Sequence, residues 1–156
     1  MMLPRVDHWE RLLAAAIDTA RVRPFIWGLH DCPTFAFETR MILTGGEDIA
    51  ALWRGRYTTA LGGERVMRRL GWASLEEMGL ALLGEPRPSV LLAGRGDIVL
   101  AETGLGFGIC NIATDPLSVI AQPLEFVFDL QEASTDEIAI LVLSFDREVG
   151  KRKPIT

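Results

Sequence analysis

Residues 25–35 read FIWGLHDCPTF and contain one of the two cysteines and one of the two histidines in this chain of 156 residues. The stretch predicts the start of a helix, because Asp31 is a good N-cap and Pro33 is tolerated in a first helical turn. Cys32 would then lie at the positive end of the helix dipole, where a thiolate is stabilised. The charge of Asp31 beside it works in the opposite direction. Two interpretations of Cys32 follow: a reactive nucleophile, or a structural cysteine buried in a helix.

The spacing of apolar residues changes from helical to strand-like along the chain. Helical spacing predicts helices at residues 6–21, from 31 or 32 to 43, at 64–70 and at 74–83. Runs of β-favouring residues after Gly94 predict strands at residues 97–101, 107–112, 117–121, 124–128 and 138–145. This order indicates an α+β domain, with N-terminal helices packed on a small antiparallel sheet from the C-terminal half. We expect a single domain over residues 1–149 and a basic tail over residues 150–156.

Composition and charge exclude several classes of function. The net charge of −5 argues against nucleic-acid binding, which needs a basic surface. No apolar run approaches the ~20 residues that span a bilayer, so no membrane association is predicted. The N-terminus is typical of an amphipathic helix and not of a signal peptide, so a cytoplasmic location is expected. The cysteines and histidines lack the spacing of a metal site, and neither a metal nor another cofactor is predicted.

Several short motifs fall in the order seen in a known family of enzymes. They are Trp27-Gly28, Asp31-Cys32, Gly96-Asp97-Ile98-Val99 and Gly106-Phe107-Gly108-Ile109. In this order the chain resembles the NlpC-type cell-wall peptidases. It is still more similar to a small offshoot of that family, found in uncharacterised proteins of phages and prophages. The residues that match this offshoot are Phe25, Trp27, Gly28, Asp31, Cys32, Phe35, Gly55 and Tyr57.

The resemblance implies a papain-like α+β fold that hydrolyses peptide bonds in peptidoglycan. Cys32 would be the nucleophile and Asp31 the N-cap of its helix, while Trp27, Gly28 and Gly106 would line the substrate cleft. The catalytic histidine of the family falls on Gly106, which has no side chain to accept a proton. His30 is a candidate replacement base, two residues from the cysteine, and His8 on the first predicted helix is another.

Three functions stay open at this point. The first is a degenerate hydrolase fold that serves as a structural or assembly module and binds phage tail proteins, in the cytoplasm or in a virion. The glycine at position 106, in place of the catalytic histidine, favours this first function. The second is an active cysteine peptidase or amidase that cuts cell-wall peptides. The third is a thiol redox or binding module that uses Cys32 and Cys110. Alternation along a strand puts Gly106, Gly108 and Cys110 on one face, and the resemblance implies that this face looks towards the Cys32 helix.

Overall fold

The computed structural model describes residues 4–85, 95–100, 107–111, 118–121, 127–129 and 141–143, the first two ranges with their side chains. Four α-helices occupy the N-terminal part, and a 3₁₀ turn at Ile49–Leu52 lies between the second and the third. The helices are α1 (Trp9–Val22), α2 (Cys32–Thr44), α3 (Ala60–Arg69) and α4 (Leu75–Leu83). No helix among the described residues is both long enough and apolar enough to cross a membrane.

Helix α2 begins and ends where local chemistry dictates. The predicted N-cap is confirmed: Asp31 has extended backbone angles, and the N–H of Thr34 donates to its carboxylate at 3.2 Å. Pro33 occupies the first turn, where a backbone N–H would have no hydrogen-bond partner within the helix, so the lack of an N–H in proline costs nothing there. Gly45 closes the helix in the left-handed region at φ 65°, with its N–H bonded to the carbonyl of Met41.

Helix α4 begins with the predicted capping box. The N–H of Glu77 donates to the hydroxyl of Ser74 at 3.1 Å, and the Glu77 carboxylate accepts from the N–H of Ala73 at 2.7 Å. Two backbone donors at the helix start are satisfied by two side chains, which fixes the position of the first turn.

Helix α1 begins three residues later than predicted, after a turn at residues 7 and 8 in which His8 has a left-handed backbone. The N–H of Val6 donates to the carbonyl of Leu43 at the end of α2. Arg5 forms an ion pair with Asp97 at 3.2 Å, and its guanidinium lies 3.8 Å from the centre of the Trp9 ring. Both charged side chains are almost wholly buried, so this pair joins the N-terminus to the start of the first strand.

The strands are three to five residues long and pair antiparallel in the order β4-β3-β2-β1-β5. They are β1 (Ile98–Leu100), β2 (Phe107–Asn111), β3 (Ser118–Ala121), β4 (Val127–Asp129) and β5 (Leu141–Leu143). In this register Ile98 is opposite Ile109 on β2 and opposite Leu143 on β5.

The predicted α+β, papain-like fold of NlpC type is wrong, because the described structure is mostly helical. Every described side chain of the hydrophobic core comes from the region before residue 85, except Ile98 and Leu100. The largest wholly buried side chains are those of Trp53, Phe37 and Leu13, which belong to the helical region. Helix α1 packs against α2, and α2 packs against the 3₁₀ turn and also against β2. The predicted tail at residues 150–156 lies outside the described residues, and the domain boundary stays a prediction.

We expect Arg5→Met to lower the free energy of unfolding by about 3 kcal/mol, because it removes one charge of the buried ion pair with Asp97. Urea unfolding followed by tryptophan fluorescence measures the loss. Arg11→Met removes an exposed arginine from α1 and is the matched control, with an expected change within about 0.5 kcal/mol. Equal effects of the two substitutions would contradict a stabilising role for the pair.

Candidate functional site

A buried carboxylate, that of Asp31, lies at the centre of the FIWGLHDCPTF stretch. Its Oδ2 accepts hydrogen bonds from the N–H of Gly28 at 2.8 Å and from the hydroxyl of Tyr57. Its Oδ1 accepts from the N–H of Thr34. A charge in an apolar interior is tolerated when donors surround it, and here three segments of the chain supply those donors.

Gly28 lies where a side chain cannot be accommodated. Its φ is 79°, and an added Cβ would clash with the carbonyl oxygen of Tyr57. Its own carbonyl accepts from the N–H of Gly55 at 2.9 Å. The backbone of this turn is therefore pressed directly against the segment that carries Tyr57, and Gly28 is buried. Its predicted place in a substrate cleft stays a prediction.

Tyr57 is the chain's one tyrosine and acts as a permanent donor to Asp31. Burial raises the pKa of Tyr57 well above its usual range, and the hydrogen bond to Asp31 and the charge of Asp31 raise it further. The ring packs against Gly63, where an added Cβ would come within 3.0 Å of it.

Thr34 connects this cluster to the centre of the core. Its hydroxyl accepts a hydrogen bond from the indole N–H of Trp53 at 3.1 Å, and that indole is wholly buried. The Trp53 ring meets Phe37 edge to face, with ring centres 5.4 Å apart. The sequence carries no signal for this bond between Trp53 and Thr34, whose partners are 19 positions apart.

Cys32 is the first residue of α2, as predicted, but its side chain belongs to the hydrophobic core. Only 9% of its surface is exposed. Strand β2 lies beside α2, yet the side chain of Cys110 on that strand lies outside the described residues. Gly106 also lies outside them. The predicted approach of Cys110 to Cys32, and the place of Gly106 in a cleft, therefore stay predictions.

His30, the first candidate base, is buried directly before the N-cap of α2. It is 2% exposed and lines a groove between α1 and α2, whereas Cys32 is not among the described residues of that wall. Its ring meets Phe35 edge to face, with ring centres 6.1 Å apart. Burial and then the charge of Arg23 lower the pKa of His30, while a backbone hydrogen bond to Ala20 and nearby carboxylates oppose the shift. The imidazole is therefore mainly neutral at pH 7.

The second candidate base, His8, lies just before α1 and is exposed. It has a left-handed backbone, at φ 59°, and its side chain makes no capping hydrogen bond. Trp27 is also largely exposed, with its ring edge to face against Phe25 at 4.8 Å between centres. Among the residues that the structure describes, no cluster of histidine, cysteine and acidic side chains could hold a metal ion.

A network of ion pairs joins α2 to the 3₁₀ turn on the far side of the cluster. Arg54 donates to both carboxylate oxygens of Asp48, at 2.7 and 2.8 Å, and to Glu38 at 2.9 Å. Its guanidinium lowers the pKa of Asp48. Glu38 also lies 3.8 Å from Arg23 of the α1–α2 connection. These charges hold α2, the 3₁₀ turn and the α1–α2 connection together.

Comparison with known families gives one match. Residues 4–134 match a family described as a domain of unknown function, DUF6950. The chain belongs to this family. The matched range of this DUF6950 chain contains all four helices, the Asp31 cluster and strands β1 to β4. Comparisons with curated proteins and with solved structures gave no match.

Tyr57→Phe is expected to cost about 1–3 kcal/mol in the free energy of unfolding, because the buried Asp31 carboxylate loses one of its donors. Urea unfolding of both proteins checks this value. Phe25→Leu, an aromatic substitution in the same region that removes no hydrogen bond to Asp31, is the comparison variant. A loss for Tyr57→Phe no larger than that of the comparison variant would contradict the donor role.

The phenol of Tyr57 should not ionise in the folded protein at the pH where free tyrosine does. A raised pKa in the folded state means that its stabilising contribution is complete below about pH 10 and is lost as the pH rises further. Ultraviolet absorbance of the phenolate during alkaline titration measures this directly, since no other tyrosine contributes. We expect the phenolate signal to rise only together with loss of the circular dichroism signal. Ionisation near pH 10 with the helices intact is the contrary result.

Proposed function

We propose that this chain is a non-hydrolytic relative of the NlpC-type proteins and serves as a structural or assembly module. One observation carries the proposal: the residues that match the catalytic motif of a peptidase are buried in the interior. Both carboxylate oxygens of Asp31 accept hydrogen bonds, from Gly28, Thr34 and Tyr57. Cys32 is packed into the hydrophobic core next to Asp31.

The surroundings of Cys32 argue against hydrolysis. A nucleophile needs access to its substrate and a base within ~3 Å of the sulfur or reached through one water. Cys32 is buried, with 9% of its surface exposed, which restricts the access of a substrate. The charge of a buried carboxylate in the preceding residue further disfavours a thiolate.

The phage association and the partner rest on the sequence resemblance. A module of this kind would contact phage tail proteins and would be found in the producing cell or in the virion. Its own contribution would be a rigid scaffold, because the Asp31 cluster joins the 25–30 turn, α2 and the Tyr57 segment.

A second candidate, a cysteine hydrolase, is favoured by one observation. Cys32 occupies the first position of α2, where the helix dipole and unpaired backbone N–H groups lower the pKa of a thiol. The two functions predict opposite reactivities of the Cys32 thiol, so a measurement of that reactivity distinguishes them.

We expect Cys32 to react slowly with iodoacetamide in the folded protein, and to react faster by orders of magnitude once urea unfolds the chain. The rate is measured against pH by mass spectrometry, in a Cys110→Ala background that leaves one cysteine. A rate that is high in the folded protein and levels off below about pH 7 would establish a stabilised thiolate and support the hydrolase.

Purified peptidoglycan provides the parallel test of activity. The wild-type chain and Cys32→Ala should both leave it intact, as measured by chromatography of released peptides. Release of peptides by the wild type that Cys32→Ala abolishes would overturn the proposal, provided that circular dichroism shows the variant to be folded.

A further inference from the structure

His30 is a buried titratable group at the point where the 25–30 turn meets both α1 and α2. Its side chain is 2% exposed, and its ring packs edge to face against Phe35 of α2. The imidazole also makes a hydrogen bond to the backbone of Ala20, near the end of α1. A single side chain therefore joins the turn to both helices.

The backbone of His30 closes the turn. The N–H of Ile26 donates to the carbonyl of His30 at 3.1 Å, and the N–H of His30 donates to the carbonyl of Ile26 at 2.8 Å. The N–H of Leu29 donates to the same carbonyl of Ile26 at 3.1 Å. A displacement of His30 would therefore disturb these hydrogen bonds, and the three N–H groups report on it.

The charges of the groove between α1 and α2 do not favour a second positive charge at His30. Arg23 lines the groove and donates to the carbonyl of Leu29 at 3.4 Å, so one cation already lies beside the turn. Glu38 also lines the groove, but it accepts a hydrogen bond from Arg54 at 2.9 Å and lies 3.8 Å from Arg23. Its negative charge is thus already shared between two guanidinium groups.

The carboxylate of Asp31, the next residue in the chain, is also engaged. Its oxygens accept three hydrogen bonds, two from backbone N–H groups and one from the phenol of Tyr57. A proton on the buried imidazole of His30 would add a charge that neither Asp31 nor Glu38 is placed to balance fully, and such a charge is costly. The lowered pKa of His30 agrees with this, since burial is its largest cause and the charge of Arg23 the second.

We propose that the 25–30 turn is an acid-sensitive element, which is held against α1 while His30 is neutral and separates from α1 when the imidazole gains a proton. In the open turn His30 is solvated and has the ordinary pKa near 6.5, whereas the closed turn disfavours the proton. The closed form therefore has its full stability above about pH 6.5 and loses stability as the pH falls from there to the lowered pKa of the closed form. This opening is independent of the reactivity of Cys32, so its test and that of the proposed function can fail separately.

Hydrogen exchange of the turn amides, followed by NMR spectroscopy and expressed as protection factors, tests the proposal. We expect the protection of Ile26, Leu29 and His30 to fall about three- to tenfold from pH 7 to pH 5.5, because one proton changes an equilibrium by at most about tenfold per pH unit. The N–H of Met78 in α4, which donates to the carbonyl of Ser74, should keep its protection. This comparison separates opening of the turn from unfolding of the whole chain.

The chain contains two histidines, and the second provides a matched control. His30→Gln keeps a side-chain N–H that can bond to the backbone of Ala20 but cannot gain a proton in this pH range, so its turn protection should be equal at pH 7 and pH 5.5. His8→Gln removes the exposed histidine and should leave the pH dependence of the wild type unchanged. A fall in protection that persists in His30→Gln, or one that extends equally to Met78, would overturn the proposal.

A proton NMR titration of the two imidazole rings in the wild type gives a result that does not require His30→Gln to fold. The signals are assigned with His8→Gln, which loses one of the two. We expect the ring of His30 to titrate below the ordinary pKa of about 6.5, in parallel with the loss of protection in the turn. Titration of His30 while the turn amides stay protected would contradict the proposal.

Discussion

The buried charge of Asp31 is the constraint on which the rest of the structure depends. An ionised carboxylate in an apolar interior is tolerated only with enough donors around it, and no single segment here supplies them all. The turn at Gly28, the first turn of α2 and the distant Tyr57 must come together before the charge is satisfied. The Asp31 side chain is therefore both a helix cap and the point at which three segments are joined.

This double use explains why a motif associated with catalysis can persist without catalysis. Gly28 is needed for the close approach of the backbone to Tyr57, and Asp31 is needed to join the three segments through its hydrogen bonds. The cysteine fills a small space in the core at the start of α2. Gly28, Asp31 and Cys32 thus each have a structural reason in this fold, and a resemblance in this motif alone does not establish an active enzyme.

The features predicted correctly from the sequence are local ones. The Asp31 cap and the Ser74–Glu77 capping box depend on residues three apart, which the sequence displays directly. The pairing of Asp31 with Tyr57 spans 26 residues and depends on how the turns between them fold. The direction of His30 depends on where α1 packs, which periodicity does not give. The predicted fold class is wrong for a related reason. The sequence displays the strand-like runs after Gly94, but it does not show that the described core comes almost entirely from the helical region.

The contact between Arg5 and Asp97 has a consequence for synthesis on the ribosome. The partners are separated by 92 positions, so Arg5 emerges long before the carboxylate that neutralises it. The helical contacts between residues 9 and 83 are closer in sequence, and local contacts form early. The helices and the bond from the N–H of Val6 to the carbonyl of Leu43 can thus form before the charge of Arg5 is neutralised. The ion pair of Arg5 with Asp97 is added only after translation has passed residue 97.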